Sequence, residues 1–201
     1  VELVAVADAY PETAQAMGNL YGVPGYHNYE RLLDEAQPDL VTIATPTVTH
    51  HATARAAMGR GAHVLIEKPI AYTVDEARDL ITYAEQQKVV LTVGHIERFN
   101  PAIAALKERL DSEELGTIFR IQAQRMGPFP ARIQDVGVTI DLATHDIDIM
   151  RYVLSADVTR LYAETAQNIH TSNEDTMDAT LRFDNDTIGT LNINWLTPTK
   201  I

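Results

Sequence analysis

The sequence predicts an α/β protein in which a doubly wound parallel sheet is followed by an α+β domain with a largely antiparallel open sheet. In the first half, short apolar segments rich in valine alternate with helical segments, as in the βαβ units of parallel sheets. After Gly94 the pattern changes, and long strand-like segments follow one another without helices between them. These two patterns predict two domains, at residues 1–98 and 99–201.

The first domain contains four short apolar segments of the kind found in buried parallel strands. They lie at residues 1–7, 40–44, 63–66 and 89–93. The helical segments lie at residues 29–35, 49–58 and 73–87, with an earlier one that begins at Pro11 and ends at about Met17 or Tyr21. The last helix has the clearest start, because Thr73 is a predicted N-cap and Glu76 is its capping-box partner.

The second domain is predicted to combine helices with longer strands. The helices lie at residues 101–110 and 136–154. The strands lie at residues 117–124, 160–168, 176–184 and 187–195. The last two strands flank Asn185-Asp186, whose residue types favour a hairpin turn.

Both ends of the sequence lead us to expect further elements. The opening strand is too apolar for an exposed sheet edge. A dinucleotide-binding sheet carries a glycine-rich turn roughly 20 residues before an acidic residue at a strand end. The glycines of Gly59-Arg60-Gly61 follow a helix instead of a strand. We therefore expect the first strand with its glycine motif before Val1, and the rest of the second sheet after Ile201.

Composition and charge limit the class of partner. Hydrophobic residues make up 45% and charged residues 22%, as in ordinary globular proteins. The absence of cysteine excludes disulfides and thiolate chemistry and fits a reducing cytoplasm. No apolar segment approaches membrane-spanning length, and no signal peptide opens the sequence. The net charge of -12 disfavours nucleic-acid phosphates. We expect a cytoplasmic protein that binds a small molecule, and neither nucleic acid nor membrane.

Several polar residues follow the predicted strands of the first domain, where a doubly wound sheet binds ligands. Asp8 is placed to bind the ribose diol of an adenine dinucleotide, or alternatively to cap a helix. Thr45 and Pro46 follow the second strand on the same side. His50 and His51 begin the next helix, and one of them is a candidate to face the cofactor cleft; the alternative is a capping or surface histidine.

Glu67-Lys68-Pro69 closes the third strand and is a candidate catalytic turn. A lysine here can exchange a proton or stabilise negative charge on a reacting oxygen, and Pro69 is a candidate for a cis peptide bond. The alternative is a solvated Glu–Lys pair before a proline turn.

Asp141, His145 and Asp148 are spaced to lie on one stripe of the helix at 136–154. A carboxylate one turn from a histidine can orient the ring and suits it to act as a general base. A separate stripe carries the predicted core residues: Val136, Ile140, Ala143, Ile147, Met150 and Leu154. The ionisable stripe is therefore not needed for packing, although a solvated polar face is the alternative.

Arg125 and Arg132 flank a loop rich in glycine and proline just before that helix. A guanidinium group can bind a phosphate or a carboxylate with two hydrogen bonds. The alternative is a pair of ordinary surface arginines.

Taken together, these segments resemble the glucose-fructose oxidoreductase / inositol dehydrogenase / rhizopine catabolism (Gfo/Idh/MocA) family. The resemblance is carried, in order, by VADAYPE, TPTVTHHATARAAMGRGAHVLIEKPIA, TVGHIERFNP and DVGVTIDLATHDID. It covers nearly the whole chain, and the EKP turn combined with the D-x-x-x-H-x-x-D helix is its most specific part. It implies a Rossmann-type domain lacking its first strand, then an α+β domain lacking its C-terminal part.

The resemblance implies a catalytic set of Lys68, Asp141 and His145. His145 would take the hydroxyl proton, Asp141 would steady the resulting imidazolium, and Lys68 would stabilise the reacting oxygen. Asp148 would line the substrate pocket.

The resemblance also implies how the cofactor binds. Asp8 would hold the adenine ribose and repel the 2′-phosphate of NADP, and neither Ala9 nor Tyr10 supplies an arginine for that phosphate. NAD is therefore the expected cofactor and NADP is less favoured. Glu67 would lie near the nicotinamide ribose, with Thr45, Pro46, His50 and Lys68 completing the cofactor site.

Arg98 and Asn100 would lie at the domain junction, toward the cofactor and the substrate respectively. The stretch at residues 125–148 is similar to family members that oxidise the 3-hydroxyl of UDP-N-acetylglucosamine, where Arg125 or Arg132 would face the diphosphate. Inositol or a free sugar is the alternative substrate within the family, and a homodimer or homotetramer is implied.

Two other classes of function remain as alternatives. One is a sensor that binds NAD or a nucleotide sugar without turnover, for which a catalytic set has no use. The other is a metal-dependent hydrolase or isomerase using His50, His95, His145 and Asp141. The sequence lacks the H-x-H and H-E-x-x-H spacings that favour such a metal site, so no metal is expected.

Overall fold

The computed structural model describes residues 1–130, 133, 136–169 and 172–199. The chain divides into two units, Val1–Gly94 and His95–Ile201. The division falls where the sequence pattern changes, and each unit contains its own buried hydrophobic cluster.

The first unit is built from parallel strands and helices that alternate along the chain. Its strands are β1 Val6–Ala7, β2 Gly25–Tyr26, β3 Leu40–Ile43, β4 His63–Ile66 and β5 Leu91–Val93. Its helices are α1 Pro11–Tyr21, α2 Tyr29–Ala36, α3 Thr47–Met58 and α4 Val74–Gln87. β1 pairs with β2, and β3, β4 and β5 form a second ladder in that order, with every pairing parallel. The predicted parallel α/β architecture is confirmed.

The opening strand is shorter than predicted. The sequence predicts a buried strand over residues 1–7, but only Val6–Ala7 pairs with a neighbour, and Leu3 and Val4 are exposed. A strand is defined by its ladder partner, and β2, the partner of β1, is itself only two residues long. Among the described residues, the ladder of this segment is therefore limited to Val6–Ala7.

β4 is the best-buried strand of the first unit because it has a neighbour on each side and helices against it. Val64 and Ile66 are fully buried and share one cluster with Ala54, Met58 and Leu80. The predicted capping box at the start of α4 is also confirmed, since its two reciprocal hydrogen bonds measure 3.1 and 3.2 Å. These contacts fix the position from which the β4–α4 turn leaves the sheet.

Gly25→Ala is expected to destabilise the first unit by about 1–3 kcal/mol, because it overpacks a tight contact. A methyl group on Gly25 would lie 2.2 Å from the carbonyl oxygen of Ala14, and that oxygen belongs to the backbone of α1. Urea denaturation of the full-length protein measures the effect. An unchanged free energy of unfolding would contradict this close packing of β2 on α1.

The second unit contains a mixed four-stranded sheet and helices. A 3-10 helix at Ile96–Phe99 precedes α5 Pro101–Asp111, and a π-helical turn at Thr139–Ala143 precedes α6 Thr144–Leu154. The strands are β6 Arg120–Met126, β7 Val158–Ala166, β8 Thr176–Phe183 and β9 Ile188–Asn194, in the order β6-β9-β8-β7. β7–β8 and β8–β9 are antiparallel, whereas β6 runs parallel to β9. The predicted hairpin at Asn185-Asp186 is confirmed, and the parallel pair makes the sheet mixed.

The π-helical turn changes which side of the helix faces the core. The sequence predicts Ile140 as a core residue, but its side chain is 39% exposed, whereas Val138 is 0% exposed. A π turn closes its hydrogen bonds over one more residue than an α turn does, so residues before it are rotated relative to the stripe that follows. Ala143 and Met150 lie after the start of the turn and are buried as predicted.

Within the described part of the chain, none of the helices has the length and apolar character that crossing a bilayer requires.

Candidate active site

Two of the predicted site segments leave the sheet at the same edge. Ile43, the last residue of β3, pairs with Ile66, the last residue of β4. The backbone N–H of Glu67 also donates to the carbonyl oxygen of Ile43 at 2.9 Å. Thr45-Pro46 and Glu67-Lys68 therefore emerge side by side at the carboxyl edge, where parallel sheets bind their ligands.

The Glu67-Lys68-Pro69 turn has the predicted backbone geometry. The peptide bond between Lys68 and Pro69 is cis. Lys68 is half-buried. The carboxylate of Glu67 lies over Gly94, where an added Cβ atom would be 3.2 Å from Oε2. A glycine at the end of β5 thus leaves room for the Glu67 carboxylate beside the turn.

Asp8 follows β1 and is half-buried. Its Oδ1 atom accepts a hydrogen bond from the backbone N–H of Tyr10 at 2.8 Å. Within the described residues, no hydrogen bond reaches Oδ2. The carboxylate is therefore oriented by its own loop and retains an oxygen that can accept from the hydroxyls of a ribose.

The expectation that His50 faces the cofactor cleft is wrong. The residue is 1% exposed. Nδ1 lies 2.9 Å from the carbonyl oxygen of Pro69, and Nε2 lies 2.8 Å from that of Thr45. Because both ring nitrogens face backbone oxygens of this unit, neither is available to a ligand. The other candidate, His51, fits the alternative of a surface histidine, since its Nε2 atom binds the carboxylate of Asp79 in α4 at 2.7 Å.

Asp141 and His145 occupy the junction between the π-helical turn and α6. Asp141 lies within the turn, with its backbone N–H donating to the carbonyl oxygen of Gly137 at 3.0 Å, and both side chains are half-buried. π turns recur at functional sites. The junction places a carboxylate and an imidazole in one short, irregular helical segment.

The start of this helical segment is capped by a residue that the sequence analysis missed. The carboxylate of Glu174, from the segment before β8, accepts the backbone N–H of Thr139 at 3.1 Å, and its carbonyl oxygen accepts the N–H of Val138 at 3.0 Å. Gly137 leaves the space for that carboxylate, because an added Cβ atom would lie 2.2 Å from it. The contact joins residues far apart in the sequence, so no local sequence pattern could predict it.

Arg125 binds a carboxylate of its own unit. Nε and Nη2 each donate to Asp146 at 2.9 Å, and Nη1 lies 3.6 Å from Glu97. The hydrogen bonds that Arg125 donates to Asp146 raise the pKa of the guanidinium, and burial opposes the rise. Asp146 is buried, so this pair holds β6 against α6. The role of Arg125 toward a substrate phosphate stays a prediction, and two carboxylates already neutralise the guanidinium.

Asp148 is also buried and paired. Arg98 donates to it from Nε at 2.8 Å and from Nη2 at 2.5 Å, and His95 lies 3.5 Å away. Burial raises the pKa of Asp148, but the hydrogen bond from Arg98 and the charges of His95 and Arg98 outweigh it and hold the pKa below the usual value. The ionisable stripe of the helix is therefore partly inside, which corrects the view that it is not needed for packing.

Asp148→Asn is expected to lower the free energy of unfolding at pH 7 by about 1–3 kcal/mol, because Arg98 loses its charged partner. The folded-state pKa lies below the unfolded value of about 3.9. The stabilisation is therefore complete above that pH and is lost as the pH falls through the folded pKa. Denaturation curves should show that the difference in the free energy of unfolding between wild type and variant is smaller at pH 3 than at pH 7.

The matched control is Asp157→Asn, since Asp157 forms an ion pair with Arg151 on the surface of the same unit. Exposed pairs contribute less than about 1 kcal/mol. Equal effects of the two substitutions at pH 7 would contradict the special position of Asp148.

Asn100, one of the remaining predicted site residues, caps α5. Its Oδ1 accepts the N–H of Ala102 at 3.0 Å, and its Nδ2 donates to Glu97 at 3.3 Å. Arg132 lies outside the described residues. Within the part of the chain that the structure describes, no three His, Cys, Asp or Glu side chains cluster as metal ligands. The predicted roles of Arg98, Asn100 and Asp148 toward ligands stay predictions.

Comparison with known proteins decides the family. A model described as the oxidoreductase family with an NAD-binding Rossmann fold matches residues 1–95. A model of the GFO/IDH/MocA C-terminal domain matches residues 103–200. The chain belongs to the Gfo/Idh/MocA oxidoreductase family. Its first unit is accordingly the NAD-binding Rossmann domain of that family, and the second is the C-terminal domain.

Several members of the family are similar over most of this chain. UDP-N-acetylglucosamine 3-dehydrogenase of Acidithiobacillus ferrooxidans is 33% identical over 94% of the chain and 58% of the relative. Its crystal structure superposes with a TM-score of 0.87 at 32% identity, covering 98% of this chain and 63% of the other. scyllo-Inositol 2-dehydrogenase (NAD⁺) of Bacillus subtilis is 31% identical over 79% of the chain and 48% of the relative.

A further solved structure is the WlbA dehydrogenase of Bordetella pertussis in complex with NADH and UDP-GlcNAcA. It has a TM-score of 0.90 at 25% identity and covers 98% of this chain and 64% of the other. The chain spans about half to two thirds of the length of the relatives it matches.

Proposed function

We propose that the whole protein is an NAD-dependent dehydrogenase that oxidises a secondary hydroxyl of a nucleotide sugar, with the 3-hydroxyl of UDP-N-acetylglucosamine as its substrate group. The observation that carries this proposal is the 33% identity, over 94% of the chain, to a UDP-N-acetylglucosamine 3-dehydrogenase. A relative of the same fold holds NADH and a UDP-sugar acid. Lys68 at the carboxyl edge of β4 and the Asp141/His145 segment supply the side chains that such chemistry needs.

Oxidation of a secondary alcohol to a ketone removes a proton from the oxygen and a hydride from the carbon. NAD, when bound, supplies the acceptor for that hydride. His145 takes the hydroxyl proton, and Asp141 stabilises the imidazolium that results. The Lys68 ammonium stabilises the negative charge that develops on the oxygen. The protein therefore contributes proton transfer and electrostatic stabilisation.

The structure of the Asp8 loop supports NAD in preference to NADP. The carboxylate of Asp8 is fixed by the N–H of Tyr10 and has an oxygen for the ribose hydroxyls. A 2′-phosphate at that position would meet a negative charge, and neither Ala9 nor Tyr10 supplies a cation. A cytoplasmic location and a homodimer or homotetramer belong to the same proposal.

Inositol or a free sugar is the second candidate substrate, because an NAD-dependent scyllo-inositol dehydrogenase is 31% identical over 79% of the chain. The surroundings of Arg125 also give no support to diphosphate binding, since Asp146 and Glu97 already face that guanidinium.

The test offers the full-length protein NAD together with UDP-N-acetylglucosamine, free N-acetylglucosamine, glucose, myo-inositol or scyllo-inositol, and follows the absorbance of reduced NAD. Turnover that requires the UDP group is the expected result. Turnover with inositols or free sugars alone would support a dehydrogenase but would exclude a nucleotide sugar as its substrate. Binding of NAD without turnover of any compound would indicate a sensor and not an enzyme.

A further inference from the structure

His50 joins two turns at the carboxyl edge of the first unit. It belongs to α3, which directly follows the Thr45-Pro46 turn, and its ring is buried. One ring nitrogen lies 2.8 Å from the carbonyl oxygen of Thr45, and the other lies 2.9 Å from that of Pro69. The first oxygen follows β3 and the second follows β4. A single rigid ring therefore spans the gap between the two turns.

This arrangement is specific to an imidazole. Buried backbone carbonyl groups need hydrogen-bond donors, and the imidazole ring carries two nitrogens on opposite sides of a planar frame. A neutral ring donates from one of these nitrogens, and a protonated ring donates from both. An aliphatic side chain in the same space would leave both oxygens without this partner. An amide side chain carries both of its donors on one nitrogen, so it cannot donate to two oxygens on opposite sides as a protonated imidazole can.

The contact to Pro69 bears directly on Lys68, because the two residues share a peptide bond. A shift of the Pro69 carbonyl group would carry the Lys68 backbone, and hence its side chain, with it. Misplacing a reacting group by about 1 Å can lower a rate by roughly 10²-fold. The rate is therefore expected to be sensitive to the contact that anchors the backbone of Lys68.

We propose that His50 is a positioning residue that fixes the Lys68-Pro69 turn relative to the Thr45-Pro46 turn and so holds Lys68 in its working position. His50 acts through the backbone and contacts neither substrate nor cofactor. This inference rests on the proposed function only for the role of Lys68; the link between the two turns is independent of it.

The neighbouring histidine provides a matched control. His51 follows directly in α3, but its side chain is 29% exposed and its Nε2 atom binds the carboxylate of Asp79 at 2.7 Å. The substitutions His50→Ala and His51→Ala remove the same ring from the same helix. Only the first removes a link between the two turns.

The experiment measures kcat, KM and the dissociation constant of NADH for the full-length wild type, His50→Ala and His51→Ala. We expect His50→Ala to lower kcat by about 10- to 100-fold, with KM and NADH binding within about threefold and with partial recovery of kcat on adding imidazole. His51→Ala should match the wild type. A folded His50→Ala protein with wild-type kcat, or a loss that imidazole leaves unchanged, would overturn the proposal.

Hydrogen exchange of the backbone provides a readout that needs no turnover. In His50→Ala, the backbone amides at residues 45–49 and 67–72 should exchange faster, while those of β5 and α4 keep their wild-type exchange rates. A uniform increase of the exchange rate across the first unit would indicate general destabilisation and would overturn the proposal. If His50→Ala does not fold, His50→Gln takes its place and should show the same local increase. If the wild type turns over no substrate, the proposed function fails. The exchange pattern still tests whether His50 links the two turns.

Discussion

Lys68→Met in the full-length protein is expected to lower kcat by about 10²- to 10⁴-fold, the range for losing a group that transfers a proton or stabilises charge at the reacting oxygen. The dissociation constant of NAD should change little. The reason is the position of Lys68, which follows β4 at the carboxyl edge of a parallel sheet, in a turn anchored by Glu67 and His50. Steady-state kinetics and a titration of NADH fluorescence separate the two effects.

Lys88→Met is the matched control. Lys88 is the C-cap residue that follows α4, is exposed and belongs to the same unit, so its replacement removes an equal charge away from the proposed site. We expect wild-type turnover from it. Near-normal turnover of Lys68→Met would remove Lys68 from the catalytic set.

His145→Ala is expected to lower kcat by about 10²- to 10⁴-fold, as for the loss of a general base. The increase of kcat with pH that accompanies deprotonation of a histidine base should also disappear from the profile. Asp141→Asn should cause a smaller loss, because it removes the charge that stabilises the imidazolium but leaves the base itself in place. The pH dependence of kcat for the three proteins provides the measurement.

His27→Ala is the control for this pair, because His27 is an exposed histidine of the first unit outside every predicted site. It should retain both the rate and the pH profile of the wild type. If His145→Ala instead keeps the wild-type pH profile, another group takes the proton, and the role proposed for His145 is wrong.

The features predicted well from the sequence are those set by local patterns. Strand–helix alternation, the capping box at Thr73 and the cis bond before Pro69 depend on neighbours in the sequence, and the structure confirms each of them. The core face of the last helix was predicted with one error, at Ile140. That error has a single cause, since the prediction assumed a regular α-helical period and the segment begins with a π turn.

The partners of the charged residues could not be predicted, because each pair joins segments far apart in the sequence. Arg125 binds Asp146 and Arg98 binds Asp148, whereas the sequence suggested ligand contacts for three of these residues. His50 was assigned to a cofactor cleft because it follows a strand end, and the structure turns it inward to two carbonyl oxygens. Position in a fold predicts which residues come near a site, but hydrogen-bond geometry decides which of them can bind a ligand.

In the proposed reaction, a hydride passes from a secondary carbinol carbon of a UDP-sugar to NAD. The direct measurement is mass spectrometry of reduced NAD formed by the full-length protein from UDP-N-acetylglucosamine that carries deuterium on carbon 3. We expect reduced NAD that is heavier by one deuterium, together with a ketone at carbon 3 of the sugar. Reduced NAD without the label would place the oxidation at another carbon, and the absence of any reduced NAD would show that the protein is not a dehydrogenase of this sugar.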